Sequence, residues 1–552
     1  MRPKRGIAAN RRSCPPSLRP VHCRSHLASC PMPNSPLPPI WPLPASRLWS
    51  RRAVLGTLAT GALAAYAVPR WTKALSGKPF GAFPDWAKAL ALPANLQAKR
   101  VLEVFLTGGL SPWETLYCID KPNYGKTDGL MYWTFESGKH SWQPLLNQCY
   151  PSVSATPLPF AFDAVGTLVG IGPLAGPLRQ RPDLLARLRL HVLSHNLFPH
   201  HPAQHLSATG AALGSPTAVG MAAAVERYAS ENLGSDKTPH AWLVTVGLPF
   251  DGIVRTGELG SVATPMVINL QQMPDFSAAM LAQMFDEPEV MGKLRALSRK
   301  ALIGQLTWPA GAQVRSGALA GVQSAEAGIP KLGAAITAVP PAMYATTPGS
   351  VCLGTASQEA YSADWTQQRF KLANQLLQFA GNETMYVGIN ESGYSEQSPM
   401  PEGLDFHADF SVRAVRRYPH VFAGLCQSLA KPSDTASGKI DLDSTLVIIN
   451  TEFGRSPGPQ DITGRNHYPT AYVTGMLGGP VGAAQKGIVG AIDANAQPVK
   501  PLKPSDIRCA ALYALGIWPF EQGLYAYTDV SGAVSEQDAI VRLRTQVLGV
   551  PT

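Results

Sequence analysis

The sequence predicts an α/β protein built on a central, mostly parallel β-sheet. Short apolar runs bounded by turn residues recur along the chain, as is typical of buried strands. Segments with helical periodicity lie between these runs, and strands that alternate with helices indicate a parallel sheet covered by helices. The 552 residues are 45% hydrophobic and 15% charged, a composition typical of a globular protein with a sizeable core.

Six strands and two long helices are predicted. The first strand, Arg100–Thr107, runs into a Gly-Gly turn, and the other five lie in the segments LRLHVLSHN, HAWLVTVGL, ETMYVGINE, STLVIINTEFG and AYVTGMLGG. The helices are predicted over Ser357–Phe379 and Val412–Leu429. Polar residues follow several of these strands, and ligands bind outside the carboxyl ends of strands in open α/β sheets.

The net charge of +10 comes from the N-terminal head of the chain. Residues 1–67 contain ten Lys and Arg and no Asp or Glu, which leaves 37 basic and 37 acidic residues in the remainder. The body of the protein is therefore neutral, and no nucleic-acid partner is expected.

The basic head resembles a bacterial twin-arginine export signal. Arg51 and Arg52 precede the apolar run Ala53–Ala67, which ends in small residues suited to cleavage. We expect a disordered leader over 1–45, which could be an upstream over-extension, and a signal peptide over 46–67. The predicted partner is the twin-arginine export machinery and the predicted location is the periplasm or the medium. A membrane anchor is the alternative, although the run is short for a spanning helix and none is expected after cleavage.

The cysteines do not predict a zinc site. Three of the eight lie in the head, and none of the other five is part of a Cys-x-x-Cys pair. The favoured disulfide is Cys118–Cys149.

Five histidines fall within fifteen residues, in the stretch HVLSHNLFPHHPAQH. His201 and His205 are four residues apart at the start of a predicted helix, so both could meet one metal ion on one helix face. The alternative is that they support the site from outside it or are purely structural.

Two further segments carry candidate ligands. Asp405 and His407 alternate in GLDFHADF and would face one side of an extended chain, although a solvated loop is the alternative. Glu452 follows a buried strand and precedes His467 by fifteen residues. A carboxylate and an imidazole placed in this way could bind a divalent metal.

Two arginines accompany the second of these segments. Arg455 and Arg465 could hold an anionic group by forked hydrogen bonds. The alternative is a structural pair that closes a salt-bridged loop.

The motifs FLTGGLSPWET, SHNLFPHHPAQHLSATG, GLDFHADF, TEFGRSPGPQDITGRNHYPTAY and LKPSDIRCAALYALGI, in this order, resemble the domain-of-unknown-function 1501 family. That family looks like a sulfatase-like branch of the alkaline phosphatase superfamily. The resemblance covers roughly residues 98–518, after a connecting segment at 68–97 and before a C-terminal extension at 519–552. It implies an alkaline-phosphatase-like three-layer sandwich.

The resemblance also implies a set of metal ligands. The acidic residue after the first strand falls on Glu114, where the family more often has aspartate, and the family's Asp-Thr-His element falls on 405–407. The implied ligands are Glu114, Asp405, His407, Glu452 and His467. Phe453 stands where phosphatases have a further histidine, which weakens a site for two zinc ions.

The histidine-rich stretch aligns with the active-site turn of sulfatases. His200 takes the position of the nucleophile, so no hydroxyl or thiol occupies it. An imidazole can be a ligand, an acid or base, or a nucleophile. The residues assigned to catalysis are His200, His201, His205, Arg455 and Arg465.

These observations favour an exported metal-dependent hydrolase that acts on a small anionic substrate, a phosphate or sulfate ester. The expected cofactor is a divalent metal, with zinc favoured by the imidazoles and manganese or calcium as alternatives. The competing hypothesis is a non-catalytic exported protein that retains the fold as a metal-binding or structural module. The missing nucleophile and Phe453 favour that hypothesis.

Overall fold

The chain divides into two units, Met1–Leu75 and Ser76–Thr552, and the described residues all lie in the second. A computed structural model describes residues 78–120, 143–233, 240–245, 250–259, 264–270, 365–378, 383–391, 404–407, 410–432, 434, 438–459, 464–482 and 486–551. The predicted leader and signal peptide lie outside these residues. The predicted helix that starts at Ser357 is described only from Trp365 onward.

Fourteen strands occur among the described residues. They are β1 (Arg100–Leu106), β2 (Leu158–Phe162), β3 (Leu168–Ile171), β4 (Leu188–Leu193), β5 (Ala241–Thr245), β6 (Met266–Asn269), β7 (Tyr386–Glu391), β8 (Thr445–Thr451), β9 (Gly454–Pro459), β10 (Arg465–Tyr468), β11 (Tyr472–Gly478), β12 (Gly487–Val489), β13 (Ala491–Ile492) and β14 (Pro498–Val499). All six strands predicted from apolar runs are present, as β1, β4, β5, β7, β8 and β11.

Eight strands form the central sheet, in the order β12-β4-β11-β8-β1-β7-β5-β6. Strand β11 runs antiparallel to both of its neighbours, and all other neighbouring pairs in the sheet are parallel. The prediction of a mixed α/β protein with a mostly parallel sheet is therefore confirmed. Three antiparallel pairs, β2–β3, β9–β10 and β13–β14, lie outside this sheet.

The described helices include α1 (Gln143–Cys149), α2 (Gly176–Arg179), α3 (Pro182–Leu185), α4 (His200–Thr209), α5 (Met221–Asn232), α6 (Asp251–Val254), α7 (Trp365–Gln378), α8 (Phe410–Ser428), α9 (Pro504–Ala514) and α10 (Glu536–Arg542). Short 3-10 helices cover Asp85–Leu90, Ala94–Leu96, Pro173–Ala175, Gly257–Leu259 and Tyr527–Asp529, and a π-helix covers Leu543–Val547. Helix α8 confirms the helix predicted over Val412–Leu429. Within the part of the chain that the structure describes, no helix is long and apolar enough to cross a membrane.

The sheet separates two apolar cores. Alternate residues of β1 face opposite sides, so Leu102 and Val104 enter one core while Val101 and Phe105 enter the other. Helices α7 and α8 cover the first face, and α5 and α9 cover the second. Helix α10 and the π-helix also contribute to the second core, so the predicted C-terminal extension shares it. The arrangement is compatible with a three-layer sandwich.

The prediction of a disulfide between Cys118 and Cys149 is wrong. Cys118 is a free, buried thiol, and Cys149 is disulfide-bonded but not to Cys118. The backbone of Cys118 forms an antiparallel bridge with Gly170, which fixes the residue in the first core. Burial raises the pKa of the Cys118 thiol well above its usual value.

A buried ion pair ties the centre of the sheet to α9. Glu103 of β1 accepts hydrogen bonds from Nη1 and Nη2 of Arg508, each at 2.6 Å. Asn450 and the hydroxyl of Tyr386 donate to the same carboxylate from the two neighbouring strands. Burial opposes ionisation of Glu103, but Arg508 and these donors outweigh burial and lower its pKa.

We expect Arg508→Leu to lower the free energy of unfolding by about 3–5 kcal/mol, because it leaves the Glu103 carboxylate buried without its cation. Arg542→Leu is the control, since water screens its partly exposed pair with Asp538 and the loss of that pair should cost little stability. The lowered pKa of Glu103 stabilises the wild type above the pKa of an unfolded glutamate, about 4.3, and this contribution is lost as the pH falls. Chemical denaturation of both variants, repeated over acidic pH, measures these effects. Equal losses in the two variants would contradict the expectation.

Candidate metal centre

Three neighbouring strands end at the same edge of the sheet. Strands β7, β1 and β8 are adjacent and parallel, so their carboxyl ends meet there. Along the chain, Gly108 follows β1, Asp405 follows β7 and Glu452 follows β8. This is the edge at which open α/β sheets bind ligands.

A glycine turn brings two of these segments into backbone contact. Gly108 and Gly109 have φ values of +107° and +95°, which favour glycine. A Cβ atom on Gly108 would clash with the backbone of Leu404 and would lie 2.5 Å from the nitrogen of Asp405. Leu404 donates its N–H to the carbonyl of Thr107 at 2.8 Å. The loop with Asp405 is thus held directly against the end of β1.

Four side chains converge at this edge, those of His200, Asp405, His407 and His467. Each can offer one ligand atom, and these atoms all lie within 4.8 Å of one another. Oδ1 of Asp405 lies 3.0 Å from Nε2 of His407 and 3.4 Å from Nε2 of His467, and its Oδ2 lies 3.0 Å from Nε2 of His200. The predicted ligands Asp405, His407 and His467 are therefore brought together, with His200 as a fourth member.

The spacing of these atoms fits a single ion. Zinc bound tetrahedrally at about 2.0–2.1 Å places its ligand atoms about 3.4 Å apart. Nε2 of His407 lies only 2.8 Å from Nε2 of His467. Two imidazole lone pairs at that distance repel each other unless a proton or a cation lies between them. Three imidazoles and one carboxylate are side chains that can together bind a divalent metal ion.

His200 begins α4 and is oriented by Glu452. Nδ1 of His200 lies 2.9 Å from Oε1 of Glu452, which also accepts the N–H of Gly108 at 2.6 Å. Nε2 of His200 is buried and lies 3.0 Å from Oδ2 of Asp405. The carboxylate of Glu452 is thus placed behind His200, on the side away from Asp405.

His467 is fixed by a backbone carbonyl and an aromatic ring. Strand β10 pairs with β9 so that His467 lies opposite Arg455. Nδ1 of His467 donates to the carbonyl of Phe198 at 2.7 Å, which leaves Nε2 as the lone-pair nitrogen. The ring stacks on Phe453 with centroids 4.4 Å apart. Phe453 is fully buried and forms an apolar wall behind the imidazole.

The charges around Asp405 favour a bound cation. Burial would raise the pKa of Asp405, but His200, His467 and Arg455 outweigh burial and hold the pKa far below its usual value. Burial opposes a charge on His200, yet the carboxylates of Asp405 and Glu452 raise its pKa to about 9. The same negative field that favours a proton at Nε2 of His200 favours a divalent ion there.

The two arginines are bonded to protein groups. Arg455 is fully buried, pairs with Asp405, and donates to the carbonyls of Gly108 and Arg465. Arg465 pairs with Glu114 and donates to the carbonyls at 456 and 457. This is the geometry expected of the structural alternative, in which the arginines close a salt-bridged loop.

Glu114 lies outside the four-residue cluster. Its carboxylate pairs with Arg465 through one oxygen and accepts the hydroxyl of Ser111 at the other. Both Glu114 and Arg465 are buried. The position that the family resemblance assigned to a ligand is thus used for a buried ion pair beside the centre.

His195 holds the loop that leads to the cluster. Its Nε2 donates to the backbone carbonyl of Glu452 at 2.7 Å, and its Nδ1 accepts the N–H of Leu197 at 3.1 Å. Burial lowers the pKa of His195 and keeps the ring neutral. His195 therefore fixes the loop rather than facing the cluster.

The other histidines of the stretch have different surroundings. His191 is buried in β4, donates to the carbonyl of Val547 at 2.8 Å, and has a pKa lowered by burial to about 3. His205 is buried in α4, whereas His201 is exposed. Of the five, His200 is the member of the cluster. Sequence reasoning had assigned it to catalysis, and only the phase of α4 distinguishes it from His201.

The fold and the site together define a mixed α/β protein with a candidate metal centre at the carboxyl edge of its sheet. Residues 437–541 match the model of a family described as "Protein of unknown function (DUF1501)". This match supports the family expected from the motifs, and it includes Glu452, Arg455, Arg465 and His467. No curated protein and no solved structure matches the chain.

We expect Gly108→Ala to destabilise the protein more than Gly166→Ala. Both glycines have positive φ, which costs a residue with a Cβ about 1–2 kcal/mol. A Cβ at Gly166 meets no described atom within 4 Å, whereas one at Gly108 collides with the backbone at Leu404 and Asp405. Denaturation midpoints of the two variants measure the difference. Equal costs would show that the close contact at Gly108 is unimportant.

We also expect His200→Ala to lose bound metal and His201→Ala to keep it. The two histidines are adjacent in sequence, but only His200 belongs to the cluster. Elemental analysis of the purified variants, after incubation with zinc and removal of excess ion, gives the metal content per chain. Full occupancy in His200→Ala would contradict its role as a ligand.

Proposed function

We propose that this protein is an exported metal-dependent hydrolase that acts on a small anionic phosphate or sulfate ester. The convergence of His200, Asp405, His407 and His467 at the carboxyl edge of the sheet carries the proposal. A sulfatase-like fold of the alkaline phosphatase superfamily, which the motif resemblance implies, is part of the same proposal, and the mostly parallel sheet is compatible with it.

The charge of the centre favours an anionic substrate. Asp405 and Glu452 each contribute one negative charge, and Arg455 contributes one positive charge. The nearby pair of Glu114 and Arg465 is neutral. With a divalent ion the centre is therefore net positive, and a phosphate or sulfate ester would be attracted to it.

The residues of the chain hold and shape the site. A bound divalent ion polarises an ester and lowers the pKa of a coordinated water. His200, Asp405, His407 and His467 would hold that ion, and zinc is favoured over manganese or calcium because three donors are imidazoles. Phe453 packs beside His200 and His467 and excludes water from that side.

A non-catalytic metal-binding or structural module is the second candidate. Arg455 and Arg465 are bonded to carbonyls and carboxylates of the protein itself. His200 also occupies the position at which sulfatases have a nucleophile. Both observations favour this alternative, which keeps the metal centre but not the turnover.

Export is proposed from the sequence of the head. The pair Arg51 and Arg52 before an apolar run supports recognition by the twin-arginine machinery, with delivery to the periplasm or the medium. That machinery carries folded proteins, so a metal could be bound before transport.

The hydrolase hypothesis predicts metal-dependent turnover. We expect zinc-loaded protein to cleave at least one of an aryl phosphate monoester, an aryl phosphate diester and an aryl sulfate. A chelator should abolish the activity and added zinc should restore it, because the ion supplies the charge that the transition state requires. Asp405→Asn should lower kcat/KM by at least about 100-fold, whereas Arg542→Leu should not change it. Metal-loaded protein without turnover on any of these esters would favour the non-catalytic alternative.

A further inference from the structure

We propose that Glu452 is not a metal ligand but a positioning residue that acts through His200, and that the centre holds one ion. This inference rests on the proposed metal centre. It departs from the sequence analysis, in which Glu452 was expected to bind the metal directly.

The contacts of Glu452 come from the protein on all sides. Oε1 accepts the N–H of Gly108 at 2.6 Å and lies 2.9 Å from Nδ1 of His200. Oε2 lies 3.3 Å from the hydroxyl of Thr451, which also donates to the carbonyl of Leu106 at 2.9 Å. The side chain is fully buried. Oε1 thus has two partners in the protein, and the carboxylate contacts Nδ1 of His200 rather than Nε2.

The backbone of Glu452 is held as firmly as its side chain. Its carbonyl accepts Nε2 of His195 at 2.7 Å and the hydroxyl of Ser207 at 3.2 Å. Ser207 lies on α4, the helix that begins with His200. Both the carboxylate and the carbonyl of Glu452 are therefore bonded to residues of that helix, His200 and Ser207.

The contact between Glu452 and His200 selects the ligand nitrogen. When an ion replaces the proton at Nε2, a proton kept on Nδ1 and donated to Glu452 leaves the lone pair of the ring on Nε2 for that ion. That atom is buried and faces the cluster, 3.0 Å from Oδ2 of Asp405. A carboxylate behind a metal-ligating histidine fixes the tautomer and raises the basicity of the ligand.

The surroundings of the cluster also limit it to one ion. The carboxylate of Glu452 contacts His200 and Gly108. The carboxylate of Glu114 pairs with Arg465 and accepts the hydroxyl of Ser111. The ring of Phe453 lies 4.9 Å from that of His200 and offers no ligand atom on that side. The described residues thus supply a single set of ligands.

The variant Glu452→Gln tests this assignment. It keeps the shape of the side chain but removes the negative charge that favours the Nδ1 proton. We expect one zinc per chain at saturation, bound about 10–100-fold more weakly than in the wild type. With cobalt in place of zinc, the visible spectrum should keep the intensity of a four-coordinate centre.

Two further variants serve as references. Glu231→Gln is the matched control, because Glu231 also accepts a backbone N–H and pairs with a cationic side chain, Arg227, away from the site. It should bind zinc as the wild type does. Asp405→Asn removes a ligand carboxylate and should change the intensity and band positions of the cobalt spectrum. Thermal unfolding without metal verifies that each variant is folded.

The outcomes separate this inference from the proposed function. If the wild type binds one ion and Glu452→Gln binds it equally tightly, the positioning role is excluded while the metal centre stands. If the cobalt spectrum of Glu452→Gln changes as that of Asp405→Asn does, Glu452 is a ligand. Two ions per wild-type chain would overturn the single-ion centre. A wild-type chain that binds no ion would overturn both this inference and the proposed function.

Discussion

The candidate metal centre depends on the close backbone contact at Gly108. The absence of a Cβ lets the end of β1 lie against the backbone of Leu404 and Asp405. The N–H of Gly108 donates to Glu452, and its carbonyl accepts Arg455, which pairs with Asp405. One peptide segment thus joins the residues that follow three neighbouring strands. A side chain at position 108 would push the carboxylate of Glu452, which orients His200, away from the carboxylate of Asp405 in the cluster.

Buried charges surround this contact, and each is compensated by another. Below the edge, Glu103 pairs with Arg508 across β1 and α9, while beside the centre Glu114 pairs with Arg465. Breaking such a pair leaves an uncompensated charge in a medium of low polarity, which is costly. The ligand atoms are therefore presented by a framework that is fixed before an ion binds. A preorganised set of donors binds a metal more tightly than a set that must first be ordered.

The strands and the strand-end residues could be predicted because they follow from local patterns. Apolar runs gave β1, β7 and β8, and the rule that sites lie at carboxyl ends placed Asp405 and His467 near each other. The roles of His200 and His201 could not be separated, since the phase of α4 depends on how Pro199 starts the helix. The ion pair of Glu114 with Arg465 could not be predicted either, because the two residues are 351 positions apart in the sequence and meet only in the fold. The predicted pairing of Cys118 failed because its burial as a free thiol in the first core depends on packing between distant segments.

The measurement that tests this centre most directly is anomalous X-ray diffraction from crystals of the zinc-loaded protein, recorded on both sides of the zinc absorption edge. The contacts described above predict one anomalous peak per chain, at about 2.0–2.2 Å from Nε2 of His200, His407 and His467 and from a carboxylate oxygen of Asp405. Glu452 should lie outside bonding distance of the peak, with its carboxylate on Nδ1 of His200. A peak bonded to Glu452, a second peak in the same site, or no peak among these four residues would contradict the structure of the centre.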